Sequence, residues 1–222
     1  MRMVTDAYGL DWLTDVKRCW SSDEQAVIID VGANIGRVTR WLATTFPRNQ
    51  VHAFEPVSST RETLRANVAN LSNVTIHADA LGDEQTLFRM TATPNSEINR
   101  IIPIDQSANV ALEEVTGQTL DRFIAGIGNP QIGLLKIDAE GYDIKVIQGA
   151  SGCLARGTVD LAVVECTFNP RGSPHVDALD LLPRMRQLAF EVVAVYSQNV
   201  GKFCRGSGYS DILFAHRRTK NR

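Results

Sequence analysis

Long apolar runs are missing from this chain: none approaches the about 18 uninterrupted apolar residues that a membrane span requires. The opening stretch, MRMVTDAYGLDWL, sets Asp6 and Asp11 where the core of a secretion signal would be continuous. The expectation is a cytoplasmic protein without membrane contact. Cysteine is scarce too, since Cys19, Cys153, Cys166 and Cys204 are scattered without C-x-x-C metal spacing and read as reduced thiols. Neither sign of charge is in excess: 23 basic residues stand against 25 acidic ones, which leaves no electrostatic footprint for nucleic acid. The basic tail Arg217, Arg218, Lys220, Arg222 reads as a solvated terminus. There is no internal repeat and no low-complexity segment. The 222 residues are enough for one sizeable core, read as a single domain over residues 1–222.

What is present begins with VIIDVGANIGRV at Val27 to Val38. Val27, Ile28 and Ile29 suit a strand covered on both faces, with Asp30 expected at its end. Gly32, Asn34 and Gly36 follow, residue types that tolerate a sharp turn and let a ligand approach the main chain. A helix is expected from about Ile35, offering free N–H groups to that ligand. The dinucleotide fingerprint G-x-G-x-x-G is not met, because Asn34 and Arg37 stand where its later glycines would be. The match is to D-x-G-x-N-x-G, a variant of the acidic, glycine-rich turn of S-adenosylmethionine (SAM) methyltransferases, in which Asp30 orients the turn or accepts from the ligand's ammonium.

Spacing extends the pattern. VHAFEP at Val51 to Pro56 ends a second apolar strand in an acidic residue about 20 positions after the turn, where a carboxylate reaches ribose hydroxyls. Glu55 is the candidate ribose ligand, and Pro56 closes the strand. A third strand at Val74 to His77 leads to Asp79 and Ala80, placing Asp79 where it can accept from an adenine amine, although Asp79 and Asp83 can also simply shape the turn at Gly82. LLKIDAEGYD at Leu134 to Asp143 carries the fourth signal. If Leu135 and Ile137 face one way, Lys136 and Asp138 face the other. Asp138 then reaches the cofactor crevice and the reacting centre, with Glu140 beyond it and Gly141 leading into a helix. Three ionisable groups so close together are costly to bury unless they pair or act.

These segments resemble the FkbM family of SAM-dependent methyltransferases. The family pattern is matched at Ile29 to Gly36, Ala53 to Pro56, Ala80 to Asp83, Thr119 to Asp121 and Lys136 to Gly141, with Val164 and Glu165 on the next strand, so that the resemblance covers Val27 to Ala215. It implies an α/β, Rossmann-like class I methyltransferase fold: seven strands, mostly parallel with one antiparallel, and helices on both faces. It also implies SAM as cofactor, held by Asp30, Gly32, Ala33, Asn34, Glu55 and Asp79, with Gly36, Pro56, Ala80 and Asp138 beside them. The implied reaction transfers methyl to a small-molecule acceptor, usually a hydroxyl of a sugar or natural product. An amine acceptor on an amino sugar or peptide is the alternative within this class. An NAD-type oxidoreductase is the alternative outside it, against which the missing third glycine and the lack of a Tyr-x-x-x-Lys pair both count.

Around these motifs the chain is less explicit. A helix is expected over Leu10 to Trp20, within an N-terminal segment, residues 1–25, that packs on the sheet or forms a lid. The connection at residues 83–131 is long for a compact domain and is expected to hold a β-segment at Thr86 to Thr91, a polar stretch at Thr93 to Asn99 and a short helix capped by Thr119. It either shapes the site or forms an edge hairpin. Strands are further expected at Leu161 to Cys166, Glu191 to Tyr196 and Asp211 to Ala215. The loop Thr167 to Val176 should face the acceptor, as should the glycine-rich segment with Gly201, Phe203, Gly206, Gly208 and Tyr209. Asn169-Pro170 begins like the N-P-P-Y motif of nucleic-acid amine methyltransferases but continues with Arg171. A hydroxyl is a weak acid, so a base or a metal must assist. Asp138, Glu140, Glu165 and His175 are the catalytic candidates, His175 by its intrinsic pKa. Asp138 and Glu165 could instead ligate Mg²⁺, the less favoured reading.

Overall fold

The fold is described from a computed structural model covering residues 9, 11–20, 25–96, 99–102, 110–170, 173–197 and 208–221. Leu10, Arg171, Gly201, Phe203, Cys204, Gly206 and Arg222, with residues 1–8, 21–24, 97–98, 103–109 and 172 of the ranges given above, lie outside the described residues. In chain order the elements are α1 (Trp12–Cys19), β1 (Val27–Val31), α2 (Arg37–Thr45), β2 (Val51–Phe54), α3 (Ser58–Val68), β3 (Val74–His77), β4 (Ala80–Leu81), β5 (Leu87–Thr91), β6 (Ile101–Ile102), β7 (Leu112–Gln118), α4 (Leu120–Gly126), β8 (Ile132–Ile137), α5 (Asp143–Gly149), α6 (Ser151–Ala155), β9 (Val159–Cys166), α7 (Ala178–Gln187), β10 (Phe190–Ser197) and β11 (Ser210–His216), then a 3-10 turn at Arg217–Asn221. No helix of the described residues is long and apolar enough to cross a membrane.

The main sheet has the order β3-β2-β1-β8-β9-β11-β10, parallel except for β11, which runs antiparallel to both neighbours. Its central strands are apolar on both faces because both faces are covered. Ile28, Leu134, Leu161 and Leu213 pack under α1 and α2 with Trp12, Trp20 and Leu42. Ile29, Leu135, Ala162 and Phe214 pack on the opposite side with Leu120, Val146, Leu154 and Leu181 from α4 to α7. The strand order reverses where β1 lies between β2 and β8, so the chain leaves β1 and β8 in opposite directions and a crevice opens at their carboxyl ends.

Two helix starts follow from local chemistry. Asp11 caps α1 by accepting from the N–H groups of Leu13 and Thr14, each at 3.2 Å, and so sets its start two residues later than the expected Leu10. The T-L-D segment caps two helices at once. Thr119 accepts from Arg122 N–H at 3.1 Å to start α4, while the Asp121 carboxylate accepts from Gly152 and Cys153 N–H, each at 2.7 Å, to start α6.

The described residues of the connection at 83–131 form more than an edge hairpin. They supply β5, β6 and β7 to a second sheet of order β4-β7-β5-β6, with β4 parallel to β7 and β5 antiparallel to both neighbours. The expected β-segment is β5. The sequence reading missed β7, LEEVTGQ, because Glu113, Glu114 and Gly117 are poor strand formers by propensity. Pairing on both sides and burial of Val115 against Phe88 and Met90 outweigh that propensity.

Behind the crevice, His52 Nδ1 and His77 Nε2 meet at 3.1 Å in an aromatic box with Phe54 and Phe123. Burial, then the neighbouring His77, pushes the His52 pKa down to about 4. The folded value lies below that of the unfolded chain, which therefore takes up the proton first as pH falls. The contribution is complete above pH of about 6.5 and is lost toward 4. Urea titrations should show the wild type losing about 1–2 kcal/mol more than His52→Gln between pH 7 and pH 5, after allowance for partial solvation. Equal losses would remove the pair from the acid response.

Candidate active site

The turn after β1 is built for close approach. Gly32 has φ of 71°, and a Cβ there would lie 1.8 Å from the Asp138 carbonyl oxygen, so only glycine lets the β1 and β8 loops touch backbone to backbone. Asn34 holds φ of 49°, and Gly36 caps α2, which starts at Arg37, two residues after the expected Ile35. Glu55, at the end of β2, is buried and reaches back to this turn: its Oε2 accepts from Asn34 N–H at 3.0 Å and its Oε1 from Val57 N–H at 2.9 Å. Burial raises its pKa against those two hydrogen bonds. Each oxygen retains acceptor capacity for a further donor.

A cleft of about 620 Å³, counted to its open mouth, lies over these residues. Gly32, Asn34, Glu55, Pro56, Asp79, Ala80, Asp138 and Glu140 line it, joined by Phe54, Leu81, Ala139 and, from the second sheet and its loop, Met90, Ser96, Asn99 and Ile101. Asp79 also accepts from Thr116 Oγ1 of β7 at 2.7 Å, which fixes its carboxylate. Ala33 packs against Leu64 and Val68 of α3, and Asp30, Ala33, Gly36, Glu165 and His175 do not line the cleft.

Asp30 lies one residue inside β1 and is fully buried beneath the turn. Its Oδ2 accepts from Thr39 Oγ1 at 2.6 Å, and its Oδ1 stands 3.6 Å from Lys136 Nζ. Burial raises its pKa, with Lys136 the main opposing influence. Lys136 is only 5% exposed, and strand alternation turns it away from Leu135 and Ile137, as expected. Its ammonium donates to the carbonyls of Val31 (3.4 Å) and Gly32 (3.2 Å) and to Asp138 Oδ2 (3.1 Å). Burial by itself would lower the lysine pKa, but the charges of Asp138 and Asp30 outweigh it and the net shift is upward.

Beyond Lys136 the carboxyl ends of β8, β9 and β11 converge. One oxygen each from Asp138, Glu140 and Glu165 lies within 4.8 Å of the others. Burial and the negative charge of Asp138 push the Glu165 pKa up, so at neutral pH it carries a proton and donates it in a hydrogen bond to Asp138. Asp138 is held ionised: burial opposes this, but Lys136 and the Glu165 hydrogen bond prevail. His175 Nδ1 stands 2.9 Å from Glu165 Oε2, though without hydrogen-bond alignment. Its ring packs 5.1 Å from that of Tyr209, and burial lowers its pKa, which leaves the imidazole uncharged at neutral pH. The loop that carries it is tied down where Thr167 Oγ1 donates to Gly208 O at 2.8 Å.

Sequence reasoning passed over two acidic residues. Asp143 is buried at the start of α5 and accepts from the N–H groups of Ala139 (3.0 Å) and Gly141 (3.1 Å), bracing the loop on which Glu140 adopts φ of 48°. Gly141, with φ of 91°, would bring a Cβ to 2.1 Å from the Pro174 carbonyl, so the Glu140 and His175 loops also touch backbone to backbone. Asp211, 4% exposed, stands opposite Glu165 in the β9–β11 ladder. Asp143 lay in the quoted segment and could have been suspected as a helix-start cap. Asp211 gave no local signal, because only the ladder brings it to Glu165.

Comparison with known proteins agrees with this architecture. Residues 30–192 match the model of the methyltransferase FkbM domain. The chain is 30% identical over 146 residues to "Methyltransferase 1" of Beauveria bassiana (strain ARSEF 2860), covering 57% of this chain and 59% of that protein. It is 31% identical over 153 residues to 31-O-demethyl-FK506 methyltransferase FkbM of Streptomyces tacrolimicus, covering 55% and 58%. The chain therefore spans under two thirds of both curated relatives. Among solved structures, a methyltransferase FkbM from Methylobacillus flagellatus KT superposes with a TM-score of 0.57 at 15% identity, covering 87% of this chain and 44% of that one.

The Lys136 network sets a measurable expectation. Lys136→Met leaves the Asp30 and Asp138 charges uncompensated and should cost on the order of 3–5 kcal/mol in denaturant unfolding. Lys136→Met/Asp30→Leu should recover part of that loss. A single variant as stable as the wild type would show that the ammonium is not what holds the two loops.

Proposed function

We propose that this chain, which belongs to the FkbM methyltransferase family, transfers a methyl group from SAM to a hydroxyl of a small-molecule acceptor such as a sugar or natural product. The observation that carries the reading is that one cleft joins Gly32, Asn34, Glu55, Asp79 and Asp138 at the switch point of the sheet. The residues present fit such a cofactor. Asn34 Oδ1 is buried with no partner among the described residues, Glu55 has lone pairs left for two ribose hydroxyls, and Asp79 can accept from an adenine amine. Met90 and Ile101 offer an apolar wall to a flat ring.

Bound there, SAM supplies a methyl carbon already activated by its sulfonium. The work left to the chain is to hold the acceptor oxygen in line with that carbon and to remove its proton, and positioning by itself can contribute several kcal/mol. For methyl transfer to balance, the acceptor hydroxyl would have to give its proton to a base of this chain. Glu165 is protonated and cannot take it. His175 is uncharged and can accept it, while ionised Asp138 favours the positive charge that then develops on the imidazole. In this account Glu165 orients His175 and Asp138. The relative named as a 31-O-demethyl-FK506 methyltransferase favours a natural-product acceptor.

Calorimetric titration should show binding of S-adenosylhomocysteine and SAM but not NAD, and binding of NAD alone would overturn the assignment. Glu55→Ala should weaken S-adenosylhomocysteine binding with the unfolding midpoint preserved, whereas Asp138→Asn should lose turnover far more than affinity. Acceptors can be found by screening hydroxylated compounds for the mass gain of one methylene. With an acceptor in hand, turnover should fall as pH drops through a His175 pKa lying below the usual 6.5, and His175→Gln should abolish that limb. An unchanged limb would clear His175 of the role.

A further inference from the structure

Glu165 and Asp211 are directly opposed in the β9–β11 ladder, so both carboxylates leave the sheet on the same face and stand close together. Trp12 of α1 donates to the Asp211 carboxylate, but its Oδ2 is buried with no hydrogen-bond partner among the described residues. A buried, unpartnered carboxylate oxygen is expensive unless something positive faces it. On the other side of Glu165 stand Asp138 and Glu140, each on a loop fixed by backbone contact with a neighbouring loop. Among the described residues Lys136 is a cation within reach, and its ammonium is shared between Asp30, two carbonyls and Asp138 Oδ2.

We propose that Asp138, Glu140 and Glu165 each give one oxygen to a hard divalent cation, with the buried carboxyl group of Asp211 behind the site. Oxygens on opposite sides of such an ion stand roughly 4 to 5 Å apart. The three carboxylates meet that span, since their nearest oxygens all lie within 4.8 Å of one another. Two of the residues are only half-buried, so water or a substrate oxygen has access to complete the coordination. The purpose of the ion rests on the methyl-transfer reading: it would lower the pKa of a hydroxyl brought against it and assist His175 in removing the proton. Its binding does not depend on that reading.

The test uses the whole chain without SAM and follows the electron paramagnetic resonance signal of free Mn²⁺ as protein is added. One Mn²⁺ should bind per chain, displaced by Mg²⁺ or Ca²⁺. Glu140→Gln and Glu165→Gln should each weaken binding by about tenfold or more while keeping the unfolding midpoint. No loss of the free signal up to millimolar Mn²⁺ overturns the proposal, as does binding that both variants retain. Displacement by methylammonium but not by Mg²⁺ also overturns it, and points to an acceptor amine as the true occupant. A parallel titration with S-adenosylhomocysteine separates the two ideas. If that ligand binds and Mn²⁺ does not, only the cation falls; if Mn²⁺ binds and that ligand does not, only the methyltransferase reading falls.

Discussion

A single buried ammonium organises the carboxyl end of the sheet. Lys136 rises from the central strand β8 at the switch point and contacts the Asp30 carboxylate of β1, the carbonyls of Val31 and Gly32 where β1 enters the glycine turn, and the Asp138 carboxylate just past the end of β8. In a site this dry, removing any of these partners leaves the rest undercompensated, so their positions are coupled. The turn that lines the cleft and Asp138 are thereby held through one nitrogen. The same charge decides protonation. Asp138 stays ionised because Lys136 is beside it, and Glu165, one strand further from the ammonium, keeps its proton.

Backbone contact between loops makes that electrostatic arrangement rigid. The glycine turn lies on the Asp138 carbonyl, and the Glu140 loop lies on the Pro174 carbonyl in the loop that carries His175. Three crossover loops therefore form one continuous surface, with Asp143 bracing its middle and Thr167 anchoring its far end. Sites assembled in this way hold their side chains where the scaffold places them, which suits a reaction whose main demand on the protein is alignment.

The family-like segments divide into two physical classes. Gly32, Asn34, Glu55, Asp79, Asp138 and Glu140 face the cleft. Asp30, Ala33, Thr119 and Asp121 face inward, where they hold the turn, pack on α3 or cap helices. Both classes read alike in sequence, because a residue that holds a loop and one that touches a ligand can share the same motif. The seven strands and their alternation were legible because their β-branched runs are local and periodic. The second sheet was not: β7 owes its extended form to partners up to 37 residues away in sequence, Ala80 and Leu81 among them. With it went the cleft wall formed by Met90, Ser96, Asn99 and Ile101.

The amino-acid sequence by itself determined the order of the strands' acidic ends, the glycine turn and the face on which Lys136 and Asp138 project, since these depend on residue type and on the two-residue period of a strand. It thereby determined the family and the side of the sheet where chemistry belongs. Only the tertiary structure decided which acids are charged, which are protonated and which meet. Asp211 reaches Glu165 through an antiparallel ladder across 46 residues of chain, and its burial there depends on helix α1 folding over the same face of the sheet, where Trp12 donates to it. Charge state depends on solvent exclusion and on neighbours in space, and neither is a property of sequence neighbours.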